Sequence, residues 1–412
     1  MNPFLHLNEN VKHNWFSLKE LTCKPYNKFD AHPYTKIRVI LANGAEFEAV
    51  WFLHQFHRHC ADNDLRRELA YIRREEQQQQ KRLASLKPIN ESILEHTIGY
   101  EQLAVELTAL FAKRESDPYV KKALDFALLE DFDHLYRYAD LLDMQKEVKA
   151  ENLVGKLTEI MPGRPTVAEH RCPCDDIKRW TNFNKADLLT KLQVCIITAA
   201  EQQTMNYYMN QANFYTDKLG RELYSEIAQI EEQHVSLYGG LMDVNTSWLE
   251  CLVMHEYTEC YLYWSLANDE TDPYIKKVFQ SHFDLELSHL ARASRLLEKY
   301  GKKDWHQVVG DGDFPEPIKF GDSVDYVRDV IANQVTLTGK GEEYVDVSQL
   351  ESDDCFFQYQ DQVVEPVKDV ASHCVIAKHI ADCDTDYRYQ TKEHPIESLR
   401  DQTRDNTELA RK

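Results

Sequence analysis

Two stretches of this chain carry the same acidic and imidazole residues at the same intervals, and no other feature limits its fold so tightly. Glu201 is followed thirty residues later by Glu231, in Glu231-Glu232-Gln233-His234. Glu256 is followed thirty residues later by Glu286, in Glu286-Leu287-Ser288-His289. Residues three apart share one face of a helix, so each Glu-x-x-His presents a carboxylate and an imidazole together. A helical hairpin then brings the earlier Glu beside them. Ala199-Ala200 precede Glu201, and Leu252-Val253-Met254 precede His255 and Glu256, so these carboxylates lie on apolar helices. Carboxylates are rarely buried unless paired or bound to metal. The pattern therefore predicts a metal site inside a helical bundle.

The pattern is part of a longer repeat. Ser116-Asp117-Pro118-Tyr119-Val120-Lys121-Lys122 recurs as Thr271-Asp272-Pro273-Tyr274-Ile275-Lys276-Lys277, an offset of 155. The same offset relates Glu101 to Glu256, Asp131 to Glu286 and His134 to His289, and it relates Glu46 to Glu201, Glu76 to Glu231 and Gln79 to His234. A second offset of 55 relates Glu46 to Glu101 and Glu201 to Glu256. The chain thus reads as one helical hairpin duplicated twice. The expected fold is all-α, with two tandem four-helix bundles and a C-terminal extension. The expected boundaries are an N-terminal segment 1–45, a degenerate bundle 46–149, a linker 150–185, a di-metal bundle 186–301 and the extension 302–412.

Local signals support the helices. Asp117-Pro118 and Asp272-Pro273 are helix starts, with a capping residue before proline. The expected helices cover Leu65 to Leu86, Ser92 to Lys113, Tyr119 to about Lys149, Ala186 to Tyr215, Leu219 to Met242, Ser247 to Asn268 and the stretch from Thr271 to Gly301. Lys36 to Leu41 reads as a short strand and Asn43-Gly44 as a turn or helix entry. Met161-Pro162-Gly163-Arg164-Pro165 breaks helix, and few periodic apolar positions follow. In the extension, helical stretches are expected near Val324 to Asn333 and Val363 to His379.

Composition limits the partners. Lys+Arg is 48 against 69 Asp+Glu, a net charge of -21, which disfavours nucleic acid and anionic membrane. No run of eighteen apolar residues predicts a membrane span, and the first residues lack a signal-peptide pattern. Of ten cysteines only Cys172-Pro173-Cys174 forms a close pair, and no Cys-x-x-Cys occurs. The reading is of reduced thiols in a cytoplasmic protein, without a zinc or rubredoxin-type iron site built on paired Cys-x-x-Cys motifs.

Two hairpins packed antiparallel supply four carboxylates and two histidines, the set found in ferritin-like di-iron proteins. Hard oxygen donors with imidazole suit iron or manganese. The chain resembles the ferritin-like superfamily, and rubrerythrin-type proteins within it, on Glu201, Glu231, His234, Glu256, Glu286 and His289, strongly over 190–300 and more weakly over 92–148. The resemblance implies that Glu231 and Glu286 bridge two metals, that Glu201 and Glu256 are terminal ligands, and that His234 and His289 serve one metal each. Glu259, three residues after Glu256, matches an additional carboxylate of rubrerythrin and is the expected catalytic residue. The implied cofactor is two iron ions, or a Mn/Fe pair. Without a rubredoxin-like cysteine module, electrons would come from an external donor.

In the earlier half Gln79 replaces one His, and Asp131 shortens one bridging carboxylate. Glu46, Glu76, Glu101, Asp131 and His134 are read as a remnant kept for structure, a mononuclear or altered site with Glu130 and Asp133 being the alternative. Tyr207, Tyr208, Tyr257, Tyr261 and Tyr263 lie near the expected site. Tyr208, seven residues after Glu201, is read as core packing, with a redox role as the sharper alternative. Cys195, Cys251 and Cys260 are read as packing residues, and His54, His57 and His59 as polar surface. The expected function is an oxidoreductase acting on hydrogen peroxide or dioxygen. A di-iron oxygenase or radical enzyme with an organic substrate, and a non-catalytic iron-binding protein, stand as alternatives. A homo-oligomer is the expected assembly.

Overall fold

The computed structural model describes residues 1–7, 13, 15–321, 323–364 and 366–383. The last part of the expected extension, 384–412, lies outside them. The described chain is all-α apart from one small hairpin. Its helices are α1 (Pro33–Arg58), α2 (Asn63–Ala84), α3 (Ile93–Arg114), α4 (Pro118–Lys146), α5 (Ala150–Leu153), α6 (Thr166–Glu169), α7 (Leu188–Phe214), α8 (Lys218–Gly240), α9 (Trp248–Asp269), α10 (Pro273–Leu296), α11 (His306–Val309), α12 (Val324–Gln334), α13 (Cys355–Val363) and α14 (Ala371–Cys383). Strands β1 (Leu337–Lys340) and β2 (Glu343–Asp346) pair antiparallel.

The sequence repeat is written into the helix starts. Ser92 and Glu95 form a capping box on α3, and Ser247 and Glu250 form one on α9. Asp62, Asp117, Asp217 and Asp272 cap α2, α4, α8 and α10 through their side chains. Each cap satisfies amide groups that the first turn leaves without partners. Glu115 Oε1 accepts from the Asp117 amide at 2.8 Å, and Glu270 Oε1 accepts from the Asp272 amide at 2.7 Å. The same bonds thus recur at the offset of 155.

Two readings change at the start of the chain. Lys36 to Leu41 is helix, because Pro33 opens α1 and Ile37, Val39, Ile40 and Leu41 are all buried in it. Gly44 lies within the same helix. A Cβ there would come within 2.9 Å of Gln203 Nε2 and 3.6 Å of the Ala199 carbonyl oxygen, so its lack of a side chain lets α1 approach α7.

The chain divides into two compact units that are not consecutive stretches of sequence. One comprises Met1–Glu91, Thr181–Gln203 and Asp243–Phe320. The other comprises Ser92–Trp180, Thr204–Met242 and Gly321–Lys412. These units cut across the expected stretches 46–149 and 186–301. In the first unit hairpin α1/α2 packs with hairpin α9/α10, α1 beside α9 and α2 beside α10. In the second, hairpin α3/α4 packs with α8, and α12 and α14 lie against α4. Helix α7 runs unbroken across the division.

A repeated sequence gives every hairpin an equivalent inner face, so periodicity cannot choose partners among them. Unique polar contacts can. In the first unit the buried Arg38 of α1 donates to Asp269 from Nη2 (2.6 Å) and Nε (3.1 Å), and to Glu270 from Nη1 (3.2 Å). Thr35 Oγ1 donates to Glu270 as well, at 2.8 Å. These charge-assisted bonds fix the end of α9 on the start of α1.

The second unit also takes in residues 150–180 of the expected linker. Arg164, Glu169 and Arg171 are fully buried there. In the extension, β1 and β2 were not expected, and the helix expected over Val363 to His379 is broken between α13 and α14, where Pro366 stands. No helix among the described residues is long and apolar enough to cross a membrane.

Candidate metal centres

In the first unit the inner faces of α1, α2, α9 and α10 turn acidic side chains toward one another. Ligand atoms of Glu76, Glu256, Glu286 and His289 lie within 4.8 Å of one another, as do those of Glu46, Glu76 and Glu259. Glu76 belongs to both groups. His289 Nδ1 stands 2.7 Å from Glu76, 3.0 Å from Glu286 and 3.8 Å from Glu256. Donors about 2.1 Å from one ion, at right angles, stand about 3 Å apart, so the two shorter spacings suit a ligand shell as well as a hydrogen bond. His289 Nε2 meets Glu75 at 2.8 Å, an arrangement that would leave Nδ1 for a bound ion. Gln79, in the place of a second histidine, donates to Glu46 at 2.8 Å and also to Glu286. The Tyr263 hydroxyl donates to Glu46.

The second unit repeats this arrangement with both histidines. Ligand atoms of Asp131, Glu231 and His234 form one group and those of Glu101, His134 and Glu231 another, with Glu231 common to both. His234 Nδ1 is 3.1 Å from Asp131 and 3.4 Å from Glu231, while its Nε2 meets Glu130 at 2.9 Å. His134 Nδ1 is 3.1 Å from Glu231, and its Nε2 is 4.0 Å from Glu169. The Tyr208 hydroxyl donates to Glu101. Glu201, buried on α7, precedes Tyr208 by two turns and so lies on the same side of that helix.

These carboxylates fit a bound cation better than they fit an ion-free core. Glu46, Glu76, Glu256, Glu259 and Glu286 are each 1 % exposed or less. Neither oxygen of Glu256 or Glu259 accepts a hydrogen bond among the described residues. Burial, then the charge of neighbouring carboxylates, pushes Glu46, Glu256 and Glu259 well above the usual carboxylate range. Burial and Glu76 raise Glu286, despite His289 beside it. Ionised together without a cation, such groups would repel across a medium of low dielectric. In the second unit the balance differs. Burial also works against the Glu231 anion, but hydrogen bonds from His134 and His234 outweigh it and hold its carboxyl below the usual range. Burial raises Asp131.

Of the expected ligands, the structure keeps Glu231 with His234, and Glu256 with Glu286 and His289, but in different units. The two residues read as altered in the earlier half, Gln79 and Asp131, therefore fall in different units. Gln79 belongs with Glu256, Glu286 and His289, while Asp131 and His134 belong with Glu231 and His234. Glu259, the expected catalytic residue, stands with Glu46 and Glu76 in a group that could hold an ion.

Sequence reading missed the residues that hold the imidazoles. Glu75 and Glu130 each precede a ligand, Glu76 and Asp131, and they are related by the offset of 55, which would have singled them out. Glu130 is itself held by Arg171 and by Arg164 (3.3 Å), so its carboxyl stays down at about 2 although burial works the other way. No periodicity announces those two arginines. His57 Nε2 bonds Arg66 Nη2 at 3.0 Å, in keeping with a polar role. No family model matches the chain, and no curated protein or solved structure is similar to it.

Proposed function

We propose that each unit holds a carboxylate-bridged pair of metal ions, iron or a Mn/Fe pair, and that the protein is an oxidoreductase acting on hydrogen peroxide or dioxygen with electrons from a separate donor. One observation carries the reading. In each unit a single carboxylate, Glu76 or Glu231, is common to two ligand groups, as a bridge between two ions requires. Oxygen donors with imidazole favour iron or manganese over thiolate-seeking ions.

When bound, the metals would supply one-electron steps to a dioxygen-derived oxidant. The chain's own residues hold the charge. Glu75 and Glu130 orient His289 and His234, so these rings cannot rotate as the metals change charge. Glu256 and Glu259, whose carboxyls burial and neighbouring carboxylates hold above the usual range, would be ionised beside bound cations and would hold protons without them. The buried tyrosines Tyr208 and Tyr263 donate to terminal carboxylates and so hold a proton at Glu101 and Glu46.

Metal content of the purified chain tests this, with about two ions expected per centre. Glu231→Ala and Glu76→Ala should each remove about half. Ferrous protein should oxidise rapidly with peroxide or oxygen, with an optical change. Absence of metal, or retention of all of it in both variants, would defeat the proposal.

The hydroxyl bonds of Tyr208 and Tyr263 favour one second reading, a radical enzyme with an organic substrate. A tyrosyl signal in electron paramagnetic resonance after oxidation, lost in Tyr208→Phe or Tyr263→Phe, would select it. Hundreds of irons per chain would instead select storage.

A further inference from the structure

A third cluster of ligating side chains lies away from both acidic centres, in the second unit. After α6 the chain runs Cys172-Pro173-Cys174-Asp175, with Pro173–Asp176 forming a single tight turn. Cys355 opens α13, where the Asp354 side chain caps the helix. Ligand atoms of Cys172, Cys174, Asp175 and Cys355 lie within 4.8 Å of one another. The Cys172 and Cys174 sulfurs are 3.5 Å apart, and Cys355 Sγ is 3.4 Å from Asp175 Oδ2.

We infer that Cys172, Cys174, Cys355 and Asp175 form a binding site for one zinc ion, held by three thiolates and a carboxylate. Zinc takes four donors in a tetrahedron, with zinc–sulfur bonds of about 2.3 Å, which places sulfurs about 3.8 Å apart. The observed separations need only small side-chain rotations to reach that value. The thiols are not bonded to one another, and they lie at or near the surface where an ion can enter. Three soft sulfurs reject the hard cations suited to Glu76 and Glu231, while a carboxylate as fourth donor suits a divalent ion better than cuprous copper.

The carboxylate is prepared for this role. Asp175 is buried, and its Oδ1 accepts from the Gly341 amide at 2.6 Å, which turns Oδ2 toward the sulfurs. Gly341 has φ +56° and makes the tight turn between β1 and β2. At Gly339 a Cβ would stand 2.8 Å from the Asp175 carbonyl oxygen, so the hairpin lies directly on the Cys-Pro-Cys turn. The site thus ties three pieces of the second unit, the turn after α6, the β1/β2 hairpin and the start of α13.

The tie also touches the acidic centre. Asp176, next to Asp175, accepts from Arg171 Nε at 2.9 Å; Arg171 holds Glu130; and Glu130 holds His234. A fixed Cys-Pro-Cys turn therefore fixes the start of that chain of contacts.

Cobalt is the probe, added as Co(II) to the full, reduced, metal-stripped chain. Binding should give thiolate-to-cobalt charge-transfer absorption in the near ultraviolet and intense tetrahedral bands in the visible. Zinc should displace one cobalt and erase both. The triple variant Cys172→Ser/Cys174→Ser/Cys355→Ser should lose the charge-transfer band and one zinc per chain. Glu76→Ala and Glu231→Ala should keep both, so this site and the acidic centres are judged separately. A readout that needs no variant is alkylation of the native chain. Zinc should slow modification of Cys172, Cys174 and Cys355 at least tenfold, mapped by peptide mass, while leaving Cys60 unchanged. The proposal is overturned by absence of the thiolate band with the three thiols reduced, by alkylation that zinc does not slow, or by a Cys172–Cys174 disulfide in protein purified with zinc under nitrogen.

Discussion

Glu75 offers the cleanest perturbation of a metal centre, because it touches the imidazole but belongs to neither ligand group. Its Oε2 meets His289 Nε2 at 2.8 Å in a buried setting. A charge-assisted bond of this kind is worth about 1.5–3 kcal/mol. If that energy is expressed only when Nδ1 binds an ion, its loss weakens the ion about 10- to 100-fold. Carboxylates behind metal-bound histidines show losses in the same range. Glu75→Gln keeps an acceptor and the volume and should cost about tenfold. Glu75→Ala removes both and should approach about 100-fold. The assay is anaerobic titration with ferrous iron in a Glu231→Ala background, so that only the first unit's centre is read, with helicity checked by circular dichroism. Glu75 also lies 3.3 Å from His13 and 3.6 Å from Arg292. Arg292→Met is therefore the control, and it should change affinity less than tenfold. Unchanged affinity in Glu75→Ala at full helicity would falsify the assignment of Nδ1 as the donor.

Three further outcomes follow from the same geometry. Gln79→His should tighten binding in the first unit, because it places an imidazole, a stronger ligand than an amide oxygen, beside Glu46 and Glu286, to which the amide nitrogen now donates; a weaker centre on titration would contradict this. Metal affinity should depend more steeply on pH in the first unit than in the second, since Glu46, Glu256, Glu259 and Glu286 must each release a proton held above the usual range, whereas Glu231 is already ionised; titrations between pH 5.5 and 8 in Glu231→Ala and Glu76→Ala backgrounds measure the two slopes, and equal slopes would refute it. Desolvation works against the half-buried Glu226 anion, but His170 and Ser372 hold its carboxyl at about 2 against an ordinary 4.5, so it contributes at most about 3 kcal/mol above pH 4.5, lost as pH falls toward 2. Glu226→Gln should therefore lower the unfolding temperature at pH 6, and the gap from wild type should narrow at pH 4.

The helices, their caps and the identity of most ligands were legible in the sequence because they are local. Asp117 and Asp272 announce helix starts, and Glu231 with His234 share a face whatever packs against it. Which hairpin faces which was not legible. Offsets of 55 and 155 make every inner face alike, and the first unit adds contacts such as Arg38 with Asp269 and Glu270, of which the repeat copies neither Arg38 nor Asp269: Gln193 stands at the offset of 155 from Arg38 and Arg114 at that offset from Asp269. Hence Gln79 and Asp131, read as two defects of one bundle, fall in separate units. Residues 150–185 looked like a linker because Met161 to Pro165 breaks helix and few periodic apolar positions follow, yet Arg164 and Arg171 are buried against Glu130, a state that hydrophobic periodicity does not record. Gly44 looked like a turn for a related reason, because a glycine serving close approach leaves the same mark as one serving a bend.

The interleaved order of hairpins also sets a timetable for synthesis. As the chain leaves the ribosome, at about 5–20 residues per second, α1 and α2 emerge first but must wait for α9 and α10, the last of the long helices, before Glu46 and Glu76 find Glu256, Glu286 and His289. The hairpins carrying Glu101, Asp131, His134, Glu231 and His234 follow one another directly. A nascent chain ending at Met242 should thus already bind metal through those residues, while the earliest acidic hairpin is still without its partner.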